Sequence, residues 1–210
     1  MKRYLTLAAS LLMTAVSAMA QLTASEAFTS APQGVFPLLD QNTRLDMVDY
    51  FKSGMSTPSQ NALQGKSQIT DLTPTTLSVR MTDSSTAQIA VLDAGKNQVI
   101  ALISTVATPG LDSNVKFFDS SWRPLNMSQY FAKPGWPEWL TDEGKSHRSD
   151  VEMQVPFMLA SYQYDPSTGS MTLTNNLSRF LDKGMYEMIA SYLKPQLVYV
   201  WNGKKFELKR

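Results

Sequence analysis

"TLSVRMTDSSTAQIAVLDAGKNQVIALISTV", Thr76 to Val106, decides the fold class of this chain. In its first seven residues apolar Leu77, Val79 and Met81 alternate with polar Ser78, Arg80 and Thr82. That period of two predicts a strand buried on one face. "AQIAVLD" follows the turn Asp83–Thr86, and "QVIALISTV" follows Asp93–Asn97. Val99 to Ile103 is continuously apolar, which predicts a central strand covered on both faces. Connections this short predict an antiparallel meander.

Downstream, "NVKFFDSSWRPL" (114–125) reads as a further hairpin with Asp119–Ser121 at its tip. Upstream, "NTRLDMVDYFKSG" (42–54) reads as a helix. Thr43 is its expected N-cap and Asp46 its N3 residue, Leu45, Met47, Val48 and Phe51 form the apolar arc, and Gly54 is the left-handed stop. Residues 21–34, rich in Ser, Thr and Ala, read as a weakly ordered lead-in. The stretch "FAKPGWPEWLTDEGKSHRSD" (131–150) follows neither period and reads as a long connection. Beyond it come strands in "EMQVPFMLASYQYD" and "SMTLTNN", a helix around 182–193 that stops before Pro195, and the Asn-Gly hairpin "LVYVWNGKKFEL".

The expected class is therefore α+β, with antiparallel sheets and one helix per half. The expected organisation is an N-terminal helix and meander over 21–131, a linker over 132–150, and a hairpin–helix–hairpin subdomain over 151–210. The two hairpins ending at Leu125 and Leu208 share a pattern, which points to two related subdomains. The helix falls at a different place in each half, which counts against a simple tandem repeat.

Residues 1–20 read as a targeting segment. Lys2 and Arg3 form a positive start, Tyr4 to Val16 a short apolar run, and Ala18-x-Ala20 a small-residue cleavage pattern. The expectation is cleavage after Ala20, export, and a soluble periplasmic or extracellular product without a transmembrane segment. Removing Lys2 and Arg3 from the 19 basic residues leaves 17 against 18 acidic, a net charge of −1. Such a chain has no electrostatic footprint for nucleic acid. With no cysteine, a lipid anchor on that residue, disulfides and thiolate chemistry are excluded.

No nucleophile elbow, phosphate-binding loop or dinucleotide fingerprint occurs. The single histidine, His147, lies in the charged connection, a poor place for a rigid catalytic imidazole. The Asp-containing segments "DSSTAQ", "DAGKN" and "DSN" lack calcium-loop spacing. No metal site, cofactor or catalytic residue is expected.

Three residues are candidate ligand contacts. Trp136 and Trp139 in "GWPEWL" form a potential aromatic platform, the alternative being that they tuck between the halves. Arg44 sits toward the apolar arc of its helix, with Asp40 one turn earlier as a pairing partner. Asp46 reads as a capping residue and Asp49 as solvated, the alternative being a ligand-binding carboxylate pair. The leading functional reading is a non-enzymatic binding module for a peptide, a glycan or an envelope protein. The alternative is a hydrolase using a carboxylate pair assembled by the fold. A third is a structural subunit, marked by a large exposed apolar patch.

Three segments, "PLLDQNTRLDMVDYFKSG" (37–54), "GKSQITDLT" (65–73) and "DSNVKFFDSSWRPL" (112–125), carry a resemblance. Together they resemble an uncharacterised family of secreted Bacteroidales proteins known only as a domain of unknown function. The likeness covers most of the chain after residue 20, most clearly Pro37 to Leu125, and is weakest over 132–150. It implies export and an α+β fold, and it carries no catalytic residues to this chain.

Overall fold

The computed structural model describes residues 21–55, 57–107 and 109–209, so the expected export segment lies outside the described residues. Seven strands run in chain order: β1 (Ser59–Gln60), β2 (Lys66–Leu72), β3 (Thr76–Thr82), β4 (Ser85–Ala94), β5 (Asn97–Ala107), β6 (Leu111–Asp119) and β7 (Pro124–Leu125). They form one antiparallel sheet in sequential order. The second sheet orders β11 (Phe206–Leu208), β10 (Gln196–Trp201), β9 (Ser170–Asn175) and β8 (Ala160–Asp165), again antiparallel. The α+β class with antiparallel sheets is thus the observed one, with six α-helices among the described residues where two were expected.

The continuous apolar run explains the layering. Ile100 and Leu102 of β5 face one side with Ile89 and Val91 of β4. Val99, Ala101 and Ile103 face the other with Ala90 and Leu92. The first face is covered by helices α1 (Ala24–Ser30) and α2 (Gln41–Lys52), the second by the four-stranded sheet. Leu173, Leu197 and Tyr199 pack into the same core as Val115 and Phe117, so the two halves of the chain share apolar interior.

Several local expectations are corrected. The lead-in is ordered: α1 opens with a complete capping box between Thr23 and Glu26, and buries Ala24, Ala27 and Phe28. The "TASE" motif and the i, i+3, i+4 spacing were visible signals, masked by the polar composition. Helix α2 begins three residues early. Asp40 is its N-cap and accepts the Thr43 N–H at 2.7 Å. Its end matches expectation, because Gly54 has φ 73° and the Gly54 and Met55 N–H groups donate to Phe51 O and Tyr50 O. That double bond pattern is the Schellman closure.

The connection 132–150 is helical in pieces: α3 (Trp136–Trp139), α4 (Asp142–Ser146) and the start of α5 (Arg148–Gln154). These pieces are too short for a period to show. They and α6 (Lys183–Ile189) build a small third core around Leu140, Val151, Val155, Leu177 and Leu193. Glu152–Gln154, read from sequence as strand, belongs to α5, and the strand starts at Ala160. Among the described residues no helix is long and apolar enough to cross a membrane.

Candidate functional site

One face of the large sheet changes character along its strands. Near the β4–β5 turn it is apolar and roofed by the second sheet. At the other end, cross-strand partners form a polar ladder, Gln68–Arg80–Thr86–Thr105–Ser113 across β2 to β6. The next row contains Asp71, Ser78 and Gln88 before it reaches Ile103 and Val115. The second sheet roofs these rows only at their β5–β6 end, where Ile103, Ser113 and Val115 are buried. Its edge strand β8 meets the large sheet at Gln88 and Ser113.

That junction is made by side chains. The Gln88 carboxamide accepts the Tyr164 N–H at 2.9 Å and donates to the Tyr164 carbonyl at 3.0 Å. Ser113 Oγ accepts the Tyr162 N–H at 2.9 Å, and Asp112 Oδ1 accepts the Ala160 N–H at 3.4 Å. Side chains from the other sheet thereby occupy outward backbone groups of β8, one way of protecting a sheet edge. Tyr162 and Tyr164 turn inward, and burial pushes the Tyr162 phenol up to about 12 and raises that of Tyr164.

A corner results. Its floor is the polar end of the large sheet, and its wall is the outer face of β8, β9 and β10. The cleft has a volume of about 890 Å³, within the range of small-molecule sites. Thr70, Ser78, Thr86 and Gln88 line the floor, while Ser161, Gln163, Thr172, Thr174 and Gln196 line the wall. Thr105 is bonded to Ser113 at 2.7 Å, and Gln196 to Thr174 at 3.3 Å. The side chains of Ser78, Thr86, Gln163 and Thr172 form no hydrogen bond with other described residues, which leaves their donors and acceptors available.

Each side of the corner contributes a carboxylate, Asp71 from β2 and Asp165 from the end of β8. The Ser167 hydroxyl and N–H and the Thr168 hydroxyl donate to Asp165 at 2.7, 2.9 and 3.0 Å. Those bonds, that of the Ser167 side chain foremost, hold it below the usual carboxylate range. Among the described residues no group of three or more His, Cys, Asp or Glu side chains is placed to hold a metal ion.

The residues singled out from sequence lie elsewhere. Trp139, 1% exposed, is core between the sheets. Trp136 is half-buried at the seam between the second and third cores. Arg44, also 1% exposed, lies on the opposite face of the large sheet, among the helix-side residues. Neither Trp139 nor Arg44 offers a surface to a ligand, the three are not brought together, and none lines the cleft. Arg44 Nη2 donates to the Ala31 carbonyl at 2.6 Å, and its guanidinium stands 5.8 Å from the Phe36 ring centre. Burial pulls its pKa below the ordinary value, opposed by the charge of Asp40. His147 stacks on Tyr192 at 4.5 Å, remote from the cleft lining.

A second cavity of about 830 Å³ carries both signs of charge, with Glu26, Asp93 and Asp119 against Lys96 and Arg123. Asp119 and Arg123 are already paired at 2.6 Å.

The cleft residues were missed because each reads as the solvated side of an ordinary strand. Their alternation was visible, but which two polar faces would meet was not.

Among curated proteins, none matches the chain. A solved structure described as a domain of an uncharacterized protein from Porphyromonas gingivalis W83 superimposes with a TM-score of 0.75 at 18% identity, covering 87% of this chain and 97% of that one. At that identity the likeness speaks to the fold alone. Residues 15–206 match the family described as "Protein of unknown function (DUF3256)", and because that span takes in nearly the whole chain, the protein belongs to this family.

Proposed function

We propose that this protein is an exported, non-enzymatic binding module whose ligand lies in the corner between its two sheets. The observation that carries the reading is the set of polar side chains without hydrogen-bond partners among the described residues on both sides of one concave surface: Ser78 and Thr86 from one sheet, Gln163 and Thr172 from the other. Rigid strands present all four, which favours a preformed site. Export rests on the charged, apolar and small-residue order of residues 1–20.

The hydrolase alternative finds a carboxylate on each side of the same cleft. Acid–base cleavage of a glycosidic bond needs one carboxyl kept protonated near neutrality, and therefore a raised pKa. Asp165 is shifted the other way by its turn, so its carboxylate serves as a turn anchor and a fixed acceptor. Asp165 is therefore not the acid of such a pair.

Thermal unfolding against glycans, muropeptides, bile acids and divalent metals tests the reading. A ligand at about a hundred times its dissociation constant adds roughly 2.7 kcal/mol. For a chain of this size that raises the midpoint by about 5–10 °C. Stabilisation reduced by about 0.6–1.4 kcal/mol in Gln163→Ala, a three- to tenfold weakening, is the expected result. Stabilisation undiminished by Gln163→Ala and Thr172→Ala together would place the ligand elsewhere. Recovery of envelope protein still carrying residues 1–20 would overturn export with cleavage after Ala20.

A further inference from the structure

The chemistry of the corner narrows its ligand, and the narrowing rests on the binding reading above. Among the described residues no Lys or Arg lines the cleft, whereas Asp71 and Asp165 do. Arg80, next along the ladder, is turned to Gln68, whose Oε1 accepts from Nη2 at 2.9 Å. The charges that line the cleft are therefore both carboxylates, with the single Arg80 cation one position beyond Thr86, a balance that disfavours anionic ligands. The remaining polar lining is hydroxyl and carboxamide, groups that both donate and accept.

Two other recognition modes lack what they need along β8. Stacking requires an exposed aromatic face, and Tyr162 and Tyr164, the only aromatics of the lining among the described residues, are 7% and 8% exposed with their rings in the core. Addition of a peptide strand requires a free sheet edge. On β8 that edge is engaged by Gln88, Ser113 and Asp112.

We propose that the cleft binds a neutral oligosaccharide, laid along β8 and held by hydrogen bonds from both sheets. Sugar hydroxyls donate and accept in the same mixture as the Ser, Thr and Gln side chains, and Asp71 accepts from hydroxyl donors without needing a cation. The six residues of β8 extend about 20 Å, which gives a linear chain of several sugar units continuous contact.

The test is calorimetric titration of the purified protein with neutral hexasaccharides of glucose, mannose, xylose and N-acetylglucosamine. Hexagalacturonate serves as the anionic counterpart and an uncharged Ser/Thr-rich octapeptide as the peptide arm. Gln163→Ala and Asp71→Asn are the variants, both at exposed positions whose loss leaves the core intact. At least one neutral hexasaccharide is expected to bind, weakened about three- to tenfold by Gln163→Ala, the worth of one hydrogen bond. Hexagalacturonate is expected to bind more weakly, and to gain affinity in Asp71→Asn.

Uronate bound as tightly as the neutral sugars would overturn the ligand class. Peptide alone bound, and lost in Gln163→Ala, would overturn the sugar while leaving the cleft as a binding site. No probe bound, or binding indifferent to both variants, would overturn the cleft itself.

Discussion

Replacing Arg44 with methionine asks what holds helix α2 against the sheet. Arg44 is 1% exposed, and its Nε and Nη1 have no hydrogen-bond partner among the described residues. A buried donor left unpaired costs about 1–3 kcal/mol, so the two together cost about 2–6. Against this stand one charge-assisted bond to the Ala31 carbonyl at 2.6 Å, worth about 1.5–3 kcal/mol, and the Phe36 contact at 5.8 Å, worth about 0.5–2. The opposing ranges nearly cancel, while the aliphatic stem still fills its space. Arg44→Met is therefore expected to leave stability within about 1 kcal/mol of the parent or to raise it, as replacement of buried charge by apolar groups often does. Arg44→Ala removes the stem too and opens a cavity. Its expected loss is about 2–5 kcal/mol, or about 5–15 °C in midpoint. Urea denaturation of the three proteins decides, with the expected order Met at or above Arg, and Ala well below. If methionine proves as damaging as alanine, the polar bonds of the guanidinium, not its stem, anchor the helix, and the reasoning fails.

Two further outcomes follow from packing. Gly144→Ala, normally favourable within a helix, is expected to destabilise by about 1–3 kcal/mol, because an added Cβ would fall inside the contact distance of the Tyr192 carbonyl; a higher urea midpoint for the variant would contradict this. Burial pushes the Tyr162 and Tyr199 phenols from 10.0 up to about 12. An acid whose folded pKa is raised contributes stability in full below the unfolded value, and loses it as pH rises through the folded one. Stability is thus expected to fall between about pH 10 and 12, with these two tyrosines ionising last in an ultraviolet titration, and ionisation of every tyrosine together near pH 10 would refute their burial.

Much of the frame was legible. The alternation in β3 and the unbroken run Val99–Ile103 identified strands, and the double burial of that run, because period and hydrophobicity are local properties of the chain. The Gly54 stop was legible for the same reason. Short helices were not: α3 to α5 span 4, 5 and 7 residues, too few for a 3.6-residue period to declare itself. The burial of Arg44 went unread because composition assigned the apolar arc to Leu45. The ideal i, i+3, i+4, i+7 set is instead 44, 47, 48 and 51, leaving Leu45 44% exposed.

The sequence by itself determined the class, the central strands and the residue types that chemistry has to work with: no thiols, one imidazole, and little net charge. Tertiary structure alone decided where those residues meet. Alternation says that Ser78 and Gln163 each lie on the polar side of a strand, but their separation in the chain carries no information about distance. The meeting depends on the second sheet roofing only the apolar end of the first, with Gln88 and Ser113 seating the edge of β8 at the boundary. Packing of whole apolar faces set that angle, and the polar corner is what the packing left uncovered.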